Sequence, residues 1–291
     1  MFGHTAAPGP VVALGEFDGF HLGHQQLVRA ATQLARRERR PLVTLVMDDA
    51  SITEHLMSPA ARSRAALAHG SDAAHVLTVR SDEGAGAAIV DELVARMAPA
   101  VVMMACLPGP ADDARFPRLR DELRARRVRV EEVDRWFDVD LQPVTSRRIR
   151  EAVGSGDVAH AHAWLGAPYA LTGEVVHGSG LGRTIGFPTA NVDPPPQRVL
   201  PGRGVYSAVV TLPGGAQHLA AVNIGVRPTV ERDGALLVEA HLLEFDDDLY
   251  GRSIEIGLRH WLRSEMPFES VDALVEQLAL DARLAGKSLG R

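Results

Sequence analysis

Thr189 and Asn191 place a hydroxyl and a carboxamide oxygen two residues apart, directly after a glycine-crowded run, GEVVHGSGLGRTIGFPTAN. Glycine lets backbone amides turn inward toward a ligand, and successive inward N–H groups form an anion-binding concavity. Mg²⁺ takes neutral oxygens of this kind while keeping phosphate oxygens and waters as its other ligands. Gly178, Gly180 and Gly182 therefore read as a phosphate loop with Arg183 as its cation, and Thr189 with Asn191 as a magnesium corner. The alternative is a glycine-rich hairpin turn, against which the fixed order of Gly, Arg183, Gly186 and PTAN argues. Glu239 stands in LLVEAHLLEF, a strand that is otherwise largely apolar. A carboxylate there is costly unless exposed or used, which makes Glu239 a candidate general base for a hydroxyl nucleophile. Strand alternation by itself reads it as an outward-facing residue.

A second chemical cluster lies near the other end of the chain, in GEFDGFHLGH. His21 and His24 fall at the start of a helix that follows a short apolar strand, the place where backbone N–H groups and the helix dipole favour phosphate. Two histidines there can donate to a triphosphate and stabilise charge growing on phosphorus. VTSRRIR, residues 144–150, starts another helix with Thr145 or Ser146 as its cap. Its arginines oppose the helix dipole, a small cost that a bound polyphosphate would offset.

The elements that carry these residues change character along the chain. Residues 11–15, 42–47, 74–79, 100–105 and 128–132 read as strands, alternating with helical patterns at 25–40, 59–69, 87–97 and 117–127. That alternation predicts a doubly wound, mostly parallel sheet, a Rossmann-like domain with ligands at the carboxyl ends of its strands. Past residue 168 the texture becomes strands and turns, at 170–177, 204–212, 217–225, 235–245 and 253–259, consistent with a small Greek-key barrel. A closing amphipathic helix spans 269–285, with Ser270 as cap and Val271, Leu274, Val275, Leu278 and Leu284 on the buried face. The expected domains are 1–168 and 169–291.

Other features exclude more than they assign. Net charge is -6, so bulk electrostatics do not favour a nucleic-acid partner. The arginine cluster at 115–129 is interleaved with Asp112, Asp113, Asp121 and Glu122 and reads as a solvated face. His160 and His162 are two residues apart on a helix and do not share a face. The single cysteine, Cys106, rules out an internal disulfide and reads as a structural thiol, in keeping with a cytoplasmic protein. No apolar run is long enough to predict a membrane span, and no oligomeric state is implied.

The second half closely resembles the riboflavin kinase family, on GEVVHGSGLGRTIGFPTAN, PGRGVY at 201–206, NIGVRPT at 223–229, VEAHLLEFDDDLYG and the terminal helix. The resemblance implies a six-stranded barrel that transfers the γ-phosphate of ATP to the ribityl 5′-hydroxyl of riboflavin, giving FMN and ADP. It places Mg²⁺ at Thr189 and Asn191, the base at Glu239 and the nucleotide phosphates under the Gly178–Gly182 loop. The first half resembles the adenylyltransferase domain of bacterial FAD synthetases, on GEFDGFHLGH and VTSRRIR. That implies nucleotide contacts at Gly15, Phe17, Asp18, Gly23, Ser146 and Arg150, with His21 and His24 catalytic. Glu16 and Arg147 depart from the usual motif residues, as do Val46–Ala50 and Met103–Gly109 on the flavin side. The expectation is a riboflavin kinase whose first half binds nucleotide yet adenylates FMN poorly, accepts another substrate, or serves only as a scaffold. The alternatives are a fully bifunctional FAD-forming enzyme and a flavin or nucleotide sensor without turnover.

Overall fold

The computed structural model describes residues 9–80, 85–105, 115–134, 136–226 and 236–290. Cys106, the Cys106–Gly109 part of the flavin-side segment, Asp112, Asp113 and residues 227–229 of the NIGVRPT motif lie outside them. The chain packs as two units, Met1–Arg148 and Ile149–Arg291. Among the described residues no helix is long and apolar enough to cross a membrane.

The first unit is built on a parallel sheet of order β3-β2-β1-β4-β5. Its strands are β1 (Val11–Gly15), β2 (Leu42–Asp49), β3 (Ala73–Val79), β4 (Val101–Ala105) and β5 (Arg129–Val133). β1 is buried along its whole length and its side chains alternate between two cores. Val11 and Ala13 pack with α1 (Leu22–Glu38) through Leu27, Ala31, Leu34 and Ala35. Val12 and Leu14 face the other way, toward α3 (Ala85–Met97) and α4 (Arg115–Ala125) through Ile89, Leu93, Leu119 and Leu123. α2 (Pro59–Ala68) packs on the same side as α1, through Ala66. Burying a strand on both faces is what lets it read as a continuous apolar run.

The second unit opens with α5 (Ser146–Ser155), which crosses the division, and α6 (Val158–Leu165). The texture change at 168 marks where helices give way to strands, whereas the packing division comes earlier because α6 rests on the barrel strand β11. The barrel is closed in the order β10-β7-β6-β11-β8-β9. Its strands are β6 (Ala170–Val176), β7 (Ala190–Asp193), β8 (Gly204–Thr211), β9 (Gln217–Val226), β10 (Leu236–Leu242) and β11 (Ser253–Arg263). Alternate residues fill its interior: Tyr206, Ala208, Val210; Ala220, Val222, Ile224; Val238, Ala240; Ile254, Ile256, Leu258, all at most 1% exposed. β7, missing from the strands read off the pattern, is four residues long and ends at the proline run, too short to show a period. A single helical turn, α7 (Leu181–Thr184), interrupts the glycine loop.

α8 (Val271–Ser288) is capped by Ser270, whose Oγ accepts from Ala273 N at 3.1 Å. Its buried face differs from the expected one. Val271 is 57% exposed and Leu284 39%, Leu274, Val275 and Leu278 are half-buried, and Asp281 is buried instead. An apolar helical stripe can line a cavity as well as a core, and two of these leucines do so.

Candidate functional site

In the second unit the side chains that alternate with the barrel filling point outward, and several meet under a common roof. Asn191 of β7 pairs with Glu239 of β10, and Glu239 pairs with Asn223 of β9, so the three form one row across neighbouring strands. Side chains directly opposite on adjacent strands share a face. All three line a cavity of about 640 Å³ together with the glycine loop and α8. The loop contributes Gly178, Gly180, Gly182 and Arg183, and Thr189 stands at its far end. Gly178 lies so close to the Asn191 carboxamide that a Cβ there would collide with it, which explains glycine at that position. Gly180, at φ 75°, caps α7 in the left-handed region, where glycine carries no Cβ penalty.

Every candidate that the sequence placed in residues 169–291 therefore lies on this one cavity, whereas Arg150 of α5 does not line it. The outward reading of Glu239 and its reading as a site residue are both compatible with the structure, because the outer face of the barrel is the cavity floor. Four further residues were not foreseen. Asn223 joins the row. The His241 ring donates from Nδ1 to the Pro188 carbonyl at 2.8 Å, tethering the segment before Thr189. His177 stacks on Tyr250 at 3.9 Å between ring centroids, with the Arg183 guanidinium 6.0 Å from the Tyr250 centroid. Asn223 could have been found from its place opposite Glu239, but only once the register was known.

In the first unit, β1 lies between β2 and β4, where the strand order reverses, the usual ligand crevice of such sheets. From Gly15 the chain turns through Phe17, at φ 55°, and a short 3₁₀ turn, Asp18–Phe20, to His21. The Phe17 ring lies 3.2 Å from where a Cβ on Gly15 would sit, and the His21 ring is 3.1 Å from the same point on Gly23. The His21 and His24 rings stack at 3.7 Å with an interplanar angle of 25°. Neither Nδ1 has a hydrogen-bond partner among the described residues. Burial lowers the His21 pKa to about 4, with Asp18 opposing. Burial, then His21 and Arg62, hold His24 well below its ordinary value. Both imidazoles are therefore neutral at pH 7, each with one N–H to donate.

Asp18 shapes this turn from below. Its carboxylate accepts from Leu56 N at 3.1 Å and Met57 N at 3.0 Å. Its carbonyl accepts from Ser146 Oγ at 2.8 Å, so the two motifs read in the first half meet here. Arg150 lies one turn further along α5, in the second unit. Arg62 escaped the sequence reading, and it is 1% exposed. It pairs with Asp18 at 3.2 Å and Asp48 at 3.5 Å, contacts His55 Nδ1 at 2.6 Å and donates to the Met57 carbonyl at 2.9 Å. Its spacing to Pro59 and Ala66 on α2 was the available sign that it faces inward. Elsewhere the arginine cluster forms surface ion pairs, Arg124 with Glu132, Arg126 with Asp91 and Arg129 with Glu38, as a solvated face would. Arg148 pairs with Asp138 at 2.8 Å.

Comparison with known proteins bears on both units. The riboflavin kinase family model matches residues 165–289, and the FAD synthetase model matches residues 4–80. The bifunctional riboflavin kinase/FMN adenylyltransferase of Escherichia coli (strain K12) is 34% identical over 299 residues, covering 97% of this chain and 93% of the relative. That of Haemophilus influenzae is 33% identical over 293 residues, covering 95% and 93%. A solved Streptococcus pneumoniae chain described as a macrolide-efflux protein superposes with a TM-score of 0.81 at 28% identity, covering 97% of this chain and 95% of that one. With a kinase model over the barrel and relatives a third identical along nearly the full length of both chains, this chain belongs to the bifunctional riboflavin kinase/FMN adenylyltransferase family.

Proposed function

We propose that the cavity beneath α8 is where this riboflavin kinase phosphorylates its acceptor, and that Glu239 is the base. The observation that carries this is the row Asn191–Glu239–Asn223 set beside the Gly178–Gly182 loop in one cavity. Its volume is in the range of small-molecule sites. The loop amides and Arg183 hold the triphosphate of ATP, and Met266, Phe268, Leu274 and Leu278 offer an apolar wall to the flavin ring. Glu239 takes the proton of the ribityl 5′-hydroxyl as its oxygen bonds to the γ-phosphorus. The bond from that phosphorus to the β,γ-bridging oxygen breaks, and ADP leaves with the electron pair. Phosphoryl transfer asks mainly for such positioning and for charge neutralisation.

A divalent cation fits the donor set. Thr189 and Asn191 supply neutral oxygens, and the Asn191 carboxamide is 6% exposed and packed against Gly178, hence fixed in direction. These two residues would hold Mg²⁺, which neutralises charge on the β- and γ-phosphates when bound. The test is product analysis: purified protein with riboflavin, ATP and MgCl₂ forms FMN and ADP. No FMN under those conditions refutes the kinase reading.

A second activity has its own support. In the first unit, neutral stacked histidines stand at a helix start beside a turn tied to Ser146, an arrangement suited to the triphosphate in adenylyl transfer to FMN. The expectation of weak adenylation drew on departures at Val46–Ala50 and Met103–Gly109. The relatives named as bifunctional align along nearly the whole chain, and they do not favour that expectation. With FMN and ATP supplied, formation of FAD and pyrophosphate identifies the activity, and their absence restores the kinase-only reading. We also assign the protein to the cytoplasm, where both substrates and a lone reduced cysteine are at home.

A further inference from the structure

Residues 264–270, SEMPFES, run as a strap from the end of β11 to the start of α8, and contacts near both of its ends hold it. Arg263, the last residue of β11, donates from Nε to Asp281 Oδ1 at 2.9 Å and from Nη2 to Oδ2 at 2.7 Å. Its Nη1 donates to the Ser264 carbonyl at 2.8 Å. Asp281 is 1% exposed, and Gln277, one turn earlier on α8, donates to its Oδ1 at 2.9 Å. A buried carboxylate needs such pairing, and a forked guanidinium fixes its direction as well as its distance. Glu265 lies so closely over β9 that a Cβ on Gly225 would collide with its carboxylate.

The latch aims more than itself. Leu278 and Leu274 precede Asp281 by three and seven residues and so share its helix face. Both line the kinase cavity, as do Arg263, Met266 and Phe268. The Arg263 guanidinium lies 5.9 Å from the Phe268 ring centroid. The pair therefore ties the end of β11 to the face of α8 that carries Leu274 and Leu278. Among the described residues, none of these hydrogen bonds involves the Gly178–Gly182 loop.

We propose that the Arg263–Asp281 pair positions the cavity's apolar wall against the flavin, making Arg263 a positioning residue for the acceptor and not for ATP. The proposal rests on reading the cavity as the riboflavin site. Its test uses the full chain carrying Arg263→Lys, which keeps the charge but loses the fork, and Asp281→Asn. Riboflavin binding is read without ATP by quenching of flavin fluorescence, and the KM for ATP and for riboflavin is read by FMN formation. The expected result is riboflavin binding and its KM weakened about tenfold or more in both variants, with the ATP KM unchanged. Wild-type riboflavin affinity in a folded variant overturns the proposal, as does an equal rise in both KM values, which marks a general loss of structure. Should Asp281→Asn not fold, Arg263→Lys carries the test. If the wild type binds riboflavin but makes no FMN, the kinase reading fails while the variants' loss of binding still supports the latch.

Discussion

The two phosphate sites proposed for this chain solve one problem in opposite ways. In the first unit the donors are imidazoles at the start of α1, kept neutral by burial. The turn that carries them is held by long-range ties from Asp18 to Leu56, Met57, Arg62 and Ser146. In the second unit the donors are loop amides and neutral oxygens on the outside of a barrel, with Glu239 set by strand register. The first arrangement is held by buried long-range ties, so loss of a tie such as Arg62 is felt as instability. The second is set by register on the outer face of the barrel, so loss of Glu239 is felt as lost chemistry.

The sharpest way to break that comparison is a crossed pair of variants. Glu239→Ala lowers FMN formation from riboflavin by about 10²–10⁴-fold, and it leaves FAD formation from supplied FMN untouched. His24→Ala does the reverse, by about 10²–10³-fold. If either variant depresses both rates, the sites are not independent. A smaller effect is expected from Arg62→Met, which leaves Asp18 buried without its cation. Calorimetry should show the first unit destabilised by about 3–5 kcal/mol and the barrel unaffected. The least effect is expected from pH. The folded-state pKa of His21 is lowered from 6.5 to about 4, so the unfolded chain takes up the proton first on acidification. Its contribution is complete above pH 6.5, fades as pH falls toward 4, and is worth roughly 3 kcal/mol. Melting of the first unit between pH 7 and 4.5 should show this slope, and His21→Gln should reduce it, with buried His24 supplying the remainder.

The fold class, the alternation of elements in the first half and the placing of the glycine loop were legible because each rests on local signals. Val11–Gly15 is apolar throughout since both its faces are covered, and Ser270 caps α8 by a rule that spans three residues. What stayed hidden depends on partners far away in sequence. Arg62 looks like one more helix-surface arginine until Asp18 and Asp48 are brought beside it. Asp281 looks solvent-facing until Arg263 arrives from β11. The misplaced face of α8 has the same origin: Leu274 and Leu278 carry a core-like period because a cavity, too, is lined with apolar side chains.

The closure of the barrel has a consequence for how the protein is made. β6, which begins at Ala170, is paired on one side with β11, whose last residue is Arg263. The ring therefore cannot shut until its final strand has been synthesised, whereas the parallel sheet has every strand in hand once β5 ends at Val133. Non-local strand pairing is slow, and domains fold as units during synthesis, beginning at the N-terminal end. A ribosome stalled shortly before Ser253 would thus carry a formed parallel-sheet unit and an unclosed set of strands with open edges, the species of this chain that most needs a chaperone.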